Sequence, residues 1–242
     1  MKAETITYAM GALTAEGALV YDDKTSGKRP AVLMAPNWMG LTDQAIERAK
    51  LVAGDRYVVF VADMYGQGTR PADFGEAAAL ADPLRANARE QRRRVRAAYT
   101  AMLDQAGRRR LIDGRRAAIG FCFGGGNVLE LARDGADIAA AVSIHGDLKT
   151  ADPAKPGAVK AALLVTHGAP DLVVPKADRD AFEAEMEAAG AKWQMLVFSG
   201  VLHAYTDQGA DHPPISAWNE PATRYTYALT QRFIDDAFAG RL

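Results

Sequence analysis

Short apolar runs that alternate with longer amphipathic ones constrain this chain more than any other feature. Ala31–Ala35 is apolar and stopped by Pro36, Tyr57 to Ala62 is rich in Val, and Ala117–Ile119, Ile138 to Ile144, Ala161 to Thr166 and Trp193 to Phe198 repeat the theme. Runs of this length with no polar alternation predict strands buried on both faces. Between them lie helical patterns. Thr42 to Ala53 has a capping Thr at its start, Phe123 to Arg133 is amphipathic, Lys176 to Ala189 is closed by Gly190, and Thr223 to Phe238 closes the chain. The long stretch Phe74 to Gln105 is expected to break into two helices at Pro83. Strands separated by helices predict an α/β fold, with a mostly parallel central sheet and helices on both faces. Thr5 to Tyr8 and Ala18 to Tyr21 are expected to add an antiparallel hairpin at one edge. No shift in composition marks a second domain, so residues 1–242 are expected to form one unit.

Composition narrows the function. With 29 basic against 30 acidic side chains and a formal net charge of -1, the chain lacks the basic excess of a nucleic-acid surface. The Arg92–Arg94 and Arg108–Arg110 runs read as solvated faces. No stretch approaches the ~20 apolar residues that span a bilayer. Met1 to Val20 lacks the basic-then-apolar pattern of a secretion signal. The single cysteine, Cys122, allows no intrachain disulfide, and the expected location is cytoplasmic.

That cysteine lies in Gly120-Phe121-Cys122-Phe123-Gly124-Gly125-Gly126, between a strand and a helix. This is a Gly-x-Ser-x-Gly nucleophile elbow with Cys in place of Ser. The turn is sharp and strained, and side chains at Gly120 and Gly124 would collide with neighbouring backbone. A sulfur raised there faces the N–H groups and dipole of the following helix, which favour an anion. A dinucleotide fingerprint would come in the first βαβ unit, whereas this motif comes mid-chain, and the lysine of a phosphate loop is missing.

An elbow expects the chain order nucleophile, acid, histidine. His203 follows the strand ending at Phe198, and Asp171 follows the strand ending at Thr166. His145 and His167 read as structural or supporting residues, and His212, beside Pro213-Pro214, as a surface residue. Asp178 and Asp180 fall inside the next helix. Asp171 is thus expected to orient His203, which activates Cys122 for attack on an ester carbonyl. The oxyanion donors are expected to be the N–H of Phe123 and that of Trp38 or Asn37. An aromatic and apolar pocket is expected from Asn37, Trp38, Tyr65, Phe123, Leu172, Tyr205 and Trp218.

Gly-Phe-Cys-Phe-Gly-Gly-Gly, then Gly168-x-x-Asp171-x-x-Val174-Pro175, then Gly200-x-x-His203-Ala204-Tyr205, resembles the dienelactone hydrolase family from about residue 16 to residue 238. The resemblance implies an α/β-hydrolase fold without a large cap, a Cys122-His203-Asp171 triad, and cleavage of lactones or small esters without cofactor or metal. The expected partner is a small ester or lactone, and the chain a monomer or homodimer. Two positions depart from the family pattern. Asn37 stands where dienelactone-cleaving members carry a Glu beside the nucleophile, so its amide is free to bond the sulfur or the substrate. After the histidine, Asp207 stands where those members hold the substrate carboxylate with Arg. Arg85 or Arg89 are the other arginines considered for that task. A neutral ester or lactone is therefore the expected substrate. Acyl transfer or thioester hydrolysis on the same triad is an alternative, and so is a silent or redox-sensing module.

Overall fold

A computed structural model describes residues 1–242. Strands β1 (Lys2–Met10) and β2 (Leu13–Tyr21) form the expected hairpin, longer than its apolar residues alone suggest, because its outer face is exposed. Next come β3 (Arg29–Ala35), α1 (Asp43–Ala53), β4 (Val58–Val61), α2 (Phe74–Arg85), α3 (Ala88–Arg108), β5 (Ile112–Phe121) and α4 (Phe123–Arg133). The chain continues through β6 (Ala140–Ile144), β7 (Ala162–Gly168), α5 (Lys176–Ala189), β8 (Trp193–Phe198), a minimal hairpin of β9 (Asp211–His212) and β10 (Ser216–Ala217), and α6 (Glu220–Phe238). Eight strands form one sheet in the order β1-β2-β4-β3-β5-β6-β7-β8. From β4 to β8 every neighbour is parallel, and β2 joins β4 antiparallel.

The period of two along each strand sorts the core into two layers. Leu33, Phe60, Ala118, Ala141 and Leu163 point to the layer closed by Met102, Leu129 and Phe182. Their neighbours Val32, Val59, Ile119, Val142 and Leu164 point to the other, closed by Ala49, Phe233 and Ile234. The sheet is covered on both faces, as continuous apolar strands require.

Pro83 does not separate the two middle helices. It sits in the last turn of α2, and the break falls at Ala86–Asn87. Asn87 caps α3 by accepting the Glu90 N–H at 3.1 Å, so an N-cap sets the boundary and not the missing proline donor.

Strand order reverses at β3: the chain moves outward to β4, then returns to β5 on the other side. The loops after β3 and β5 therefore part to opposite faces and open a crevice between them, where ligands of open α/β sheets bind. Cys122 and Asn37-Trp38 stand in those two loops.

Candidate active site

Cys122 links β5 to α4 with φ 52° and ψ -121°, a conformation that L-residues rarely adopt. Its N–H is tied to the Ile144 carbonyl at 3.0 Å and its carbonyl to the Gly125 N–H at 2.8 Å. The flanking glycines are there for space. A Cβ on Gly120 would lie 1.9 Å from the Gly124 carbonyl oxygen, and one on Gly124 would lie 2.1 Å from that of Ala35. As the first residue of α4, Phe123 has no intrahelical acceptor for its N–H. The N–H groups of Asn37 and Trp38 likewise donate to no group of the chain.

His203 lies between the other two candidates. Its Nε2 is 3.2 Å from Cys122 Sγ, and its Nδ1 is 2.8 Å from Asp171 Oδ2. Asp171 serves two purposes at once: Oδ1 accepts the N–H groups of Val173 and Val174 at 2.8 and 2.9 Å, which fixes the turn, and Oδ2 is left for the imidazole. Burial opposes charge on both groups. In Asp171, the neighbouring His167 and His203 imidazoles and the Val174 N–H outweigh it, so the carboxyl stays well below its usual range. In His203 burial is outweighed by the neighbouring Cys122 charge and the Asp171 bond, and the imidazolium is raised to about 10.

The two remaining buried histidines brace this group. His145 Nε2 meets Thr206 Oγ1 at 2.8 Å, and its ring packs edge-on to His203 with centroids 5.2 Å apart. Burial, then the charge on His203, pushes its imidazolium far down, so it stays neutral. His167 Nε2 faces the Gly146 carbonyl at 3.1 Å, with Nδ1 3.6 Å from Asp171 Oδ2. No group of His, Cys, Asp and Glu has the arrangement of a metal site.

Cys122 and His203 open into a cavity of about 1070 Å³. Asn37 and Trp38 line it. Other expected residues do not. Leu172 is 63% exposed and lies outside, while Val173 and Val174 take its place. Tyr205 is fully buried, its hydroxyl bonded to Thr166 and Thr226 at 2.8 and 2.9 Å, so it belongs to the core beneath the site. Tyr65 donates to the Trp38 carbonyl at 2.7 Å and stacks on the buried Phe123 ring at 5.9 Å. Both rings back the wall without lining it, and Trp218 also lies outside the cavity. Asn37 does not bond the sulfur. Its Oδ1 accepts from the Met39 N–H at 3.0 Å and its Nδ2 faces Asp207 Oδ2 at 3.4 Å. Arg85 enters the cavity and Arg89 does not. His212 is exposed, as expected, yet it lines the cavity edge-on to Phe74. Phe74 and Asp147 were not anticipated, although Asp147 follows β6 at the end of the sheet where sites form.

The fold and this crevice define an α/β-hydrolase. The chain belongs to the dienelactone hydrolase family, whose profile matches residues 16–237. Among solved structures it is similar to m3DLH, with 32% identity, 98% of each chain covered and a TM-score of 0.91. It is also similar to P91, a dienelactone hydrolase-like promiscuous phosphotriesterase from metagenomic libraries, with 31% identity, 98% of each chain covered and a TM-score of 0.89. A dienelactone hydrolase from Anabaena variabilis shares the fold at 18% identity, with 97% of each chain covered and a TM-score of 0.71. No curated protein is significantly similar to the chain. No helix is long and apolar enough to cross a membrane.

Proposed function

We propose that this hydrolase cleaves small carboxylic esters or lactones through an acyl-enzyme on Cys122. The observation that carries the reading is His203, held 3.2 Å from Cys122 Sγ and 2.8 Å from Asp171 at the base of an open cavity. His203 holds the Cys122 proton as an imidazolium paired with the thiolate, and Asp171 fixes the tautomer and balances that positive charge. The sulfur attacks the carbonyl carbon, and its oxygen takes up the displaced electron pair facing the N–H of Phe123 and that of Trp38 or Asn37. Each such donor contributes about 3 kcal/mol in comparable sites. Collapse expels the alkoxide, which collects the proton from His203. Water, deprotonated by the now neutral imidazole, then releases the acid and restores the thiolate–imidazolium pair.

The test is a short 4-nitrophenyl ester series with Cys122→Ala and His203→Ala beside the parent. A drop of at least about a hundredfold in both variants supports the reading. Activity untouched by Cys122→Ala would overturn it. The likeness to a promiscuous phosphotriesterase adds a neutral phosphotriester to the panel, where the same sulfur would attack phosphorus.

A further inference from the structure

We infer that the cavity holds a cation-recognition subsite at Asp207, so that its favoured esters carry an ammonium group. Only the bond cleaved rests on the function proposed above; the subsite itself follows from charge and packing.

Four carboxylates line the cavity, those of Asp82, Asp147, Asp178 and Asp207, against two permanent cations, Arg85 and Lys149. Both cations are engaged. Arg85 holds Asp147 at 2.7 Å and Asp82 at 2.8 Å, and Lys149 holds Asp178 at 3.1 Å. Asp207 has no cationic nitrogen within 4.0 Å. Arg48, whose side chain approaches the same loop, donates to the Thr206 carbonyl at 3.3 Å and lies over the Phe121 ring.

What Asp207 does receive is weak. Asn37 Nδ2 stands 3.4 Å from Oδ2, and Gln44 Nε2 and the Gly209 N–H stand 3.4 and 3.3 Å from Oδ1. All three are neutral donors beyond the usual hydrogen-bond length. A half-buried carboxylate so served retains most of its attraction for a counter-charge. An aromatic wall shares the cavity with this carboxylate. Asn37, which faces it, precedes Trp38, and Trp38 stacks on Phe74 at 5.5 Å. Phe74 remains more than half exposed in the same cavity, a ring available to a methylated ammonium. A carboxylate and an exposed aromatic ring lining one cavity suit such a cation and disfavour an anionic substrate.

Two isosteric esters test this: 4-nitrophenyl 4-(trimethylammonio)butyrate and 4-nitrophenyl 5,5-dimethylhexanoate, which differ only in N⁺ for C. The parent is expected to favour the cation in kcat/KM by about fivefold or more at low salt, a preference that falls with ionic strength. Asp207→Asn should bring the ratio toward one, and Asp207→Glu should retain part of it. An unchanged ratio in Asp207→Asn overturns the subsite.

A second readout does not depend on hydrolysis. Cys122 is the only cysteine, so its labelling by cationic and anionic methanethiosulfonates can be followed directly. The thiolate takes the reagent's alkylthio group as a mixed disulfide and expels methanesulfinate. With rates normalised to a free thiol, the parent should favour the trimethylammonioethyl reagent over the sulfonatoethyl one, and Asp207→Asn should lose that preference. Charge-selective labelling without ester turnover would sink the hydrolase reading and leave the subsite standing. Turnover without charge selectivity in either experiment would do the reverse.

Discussion

At the scale of single residues, the site holds a proton and a strained backbone, and each makes a prediction. His203 is raised to about 10 because the charge on Cys122 and the bond from Asp171 outweigh the burial that opposes them. Its imidazolium therefore persists through neutral pH and is lost as pH rises through that value. An alkyl ester needs that proton for its leaving alkoxide, whereas 4-nitrophenolate departs without it. The expected result is a kcat/KM profile that falls near pH 10 for an alkyl ester and lacks that limb for its 4-nitrophenyl counterpart. Removing the Asp171 carboxylate, as in Asp171→Asn, should move the limb to lower pH and cut kcat by about a hundredfold or more. Identical profiles for the two esters would mean that His203 does not supply the proton. The second prediction concerns Cys122 at φ 52°. A β-carbon there carries strain of about 1–3 kcal/mol, while glycine ordinarily costs about 0.5–1 kcal/mol against alanine. Cys122→Gly should therefore be more stable than Cys122→Ala by about 1 kcal/mol, seen as a Tm higher by a few degrees. Alanine as the more stable variant would show that the elbow stores little strain.

At the scale of elements, what could be read from sequence followed the physics of each segment. The strands β3, β4, β6 and β7 are buried along their whole length, as is the Ala117–Phe121 half of β5, and these runs stand out without any alternation to decode, whereas the polar first half of β5 carries no such signal. Cys122, Asp171 and His203 could be placed because each sits just past a strand, where glycines and turn residues mark the exit. Boundaries set by side-chain caps were harder. The helix runs two residues past Pro83 to Arg85, and the break falls where Asn87 caps the next start, an arrangement favourable by about 1 kcal/mol. The cavity wall was hardest. Leu172, Val173 and Val174 are adjacent and chemically alike, and only the turn pinned by Asp171 decides which face inward. Tyr205 has a core position because Thr166 and Thr226, far away in sequence, satisfy its hydroxyl. The two-residue strands β9 and β10 carry no periodicity, yet they bring His212 and Ser216 to the cavity.

At the scale of the whole molecule, the site exists only while the sheet does. Cys122 follows β5, Asp171 follows β7 and His203 follows β8, with sulfur and imidazole 81 positions apart in sequence and imidazole and carboxylate 32 apart. The two core layers cannot separate, because every central strand contributes alternate side chains to both. Melting one layer strips the partner face of β3, β5 and β6 as well, so the layers should lose structure together. Trp193 reports the β8 edge, where its ring packs against Phe182, and Trp38 reports the crevice, while far-UV circular dichroism reports the helices. Denaturant titration is expected to give one transition, with fluorescence and dichroism midpoints that coincide. A separate early fluorescence step, with the helices intact, would mean that the β8 edge and the crevice open independently of the sheet. His203 would then leave Cys122 before the core melts, and ester turnover measured along the same titration would fall with that first step.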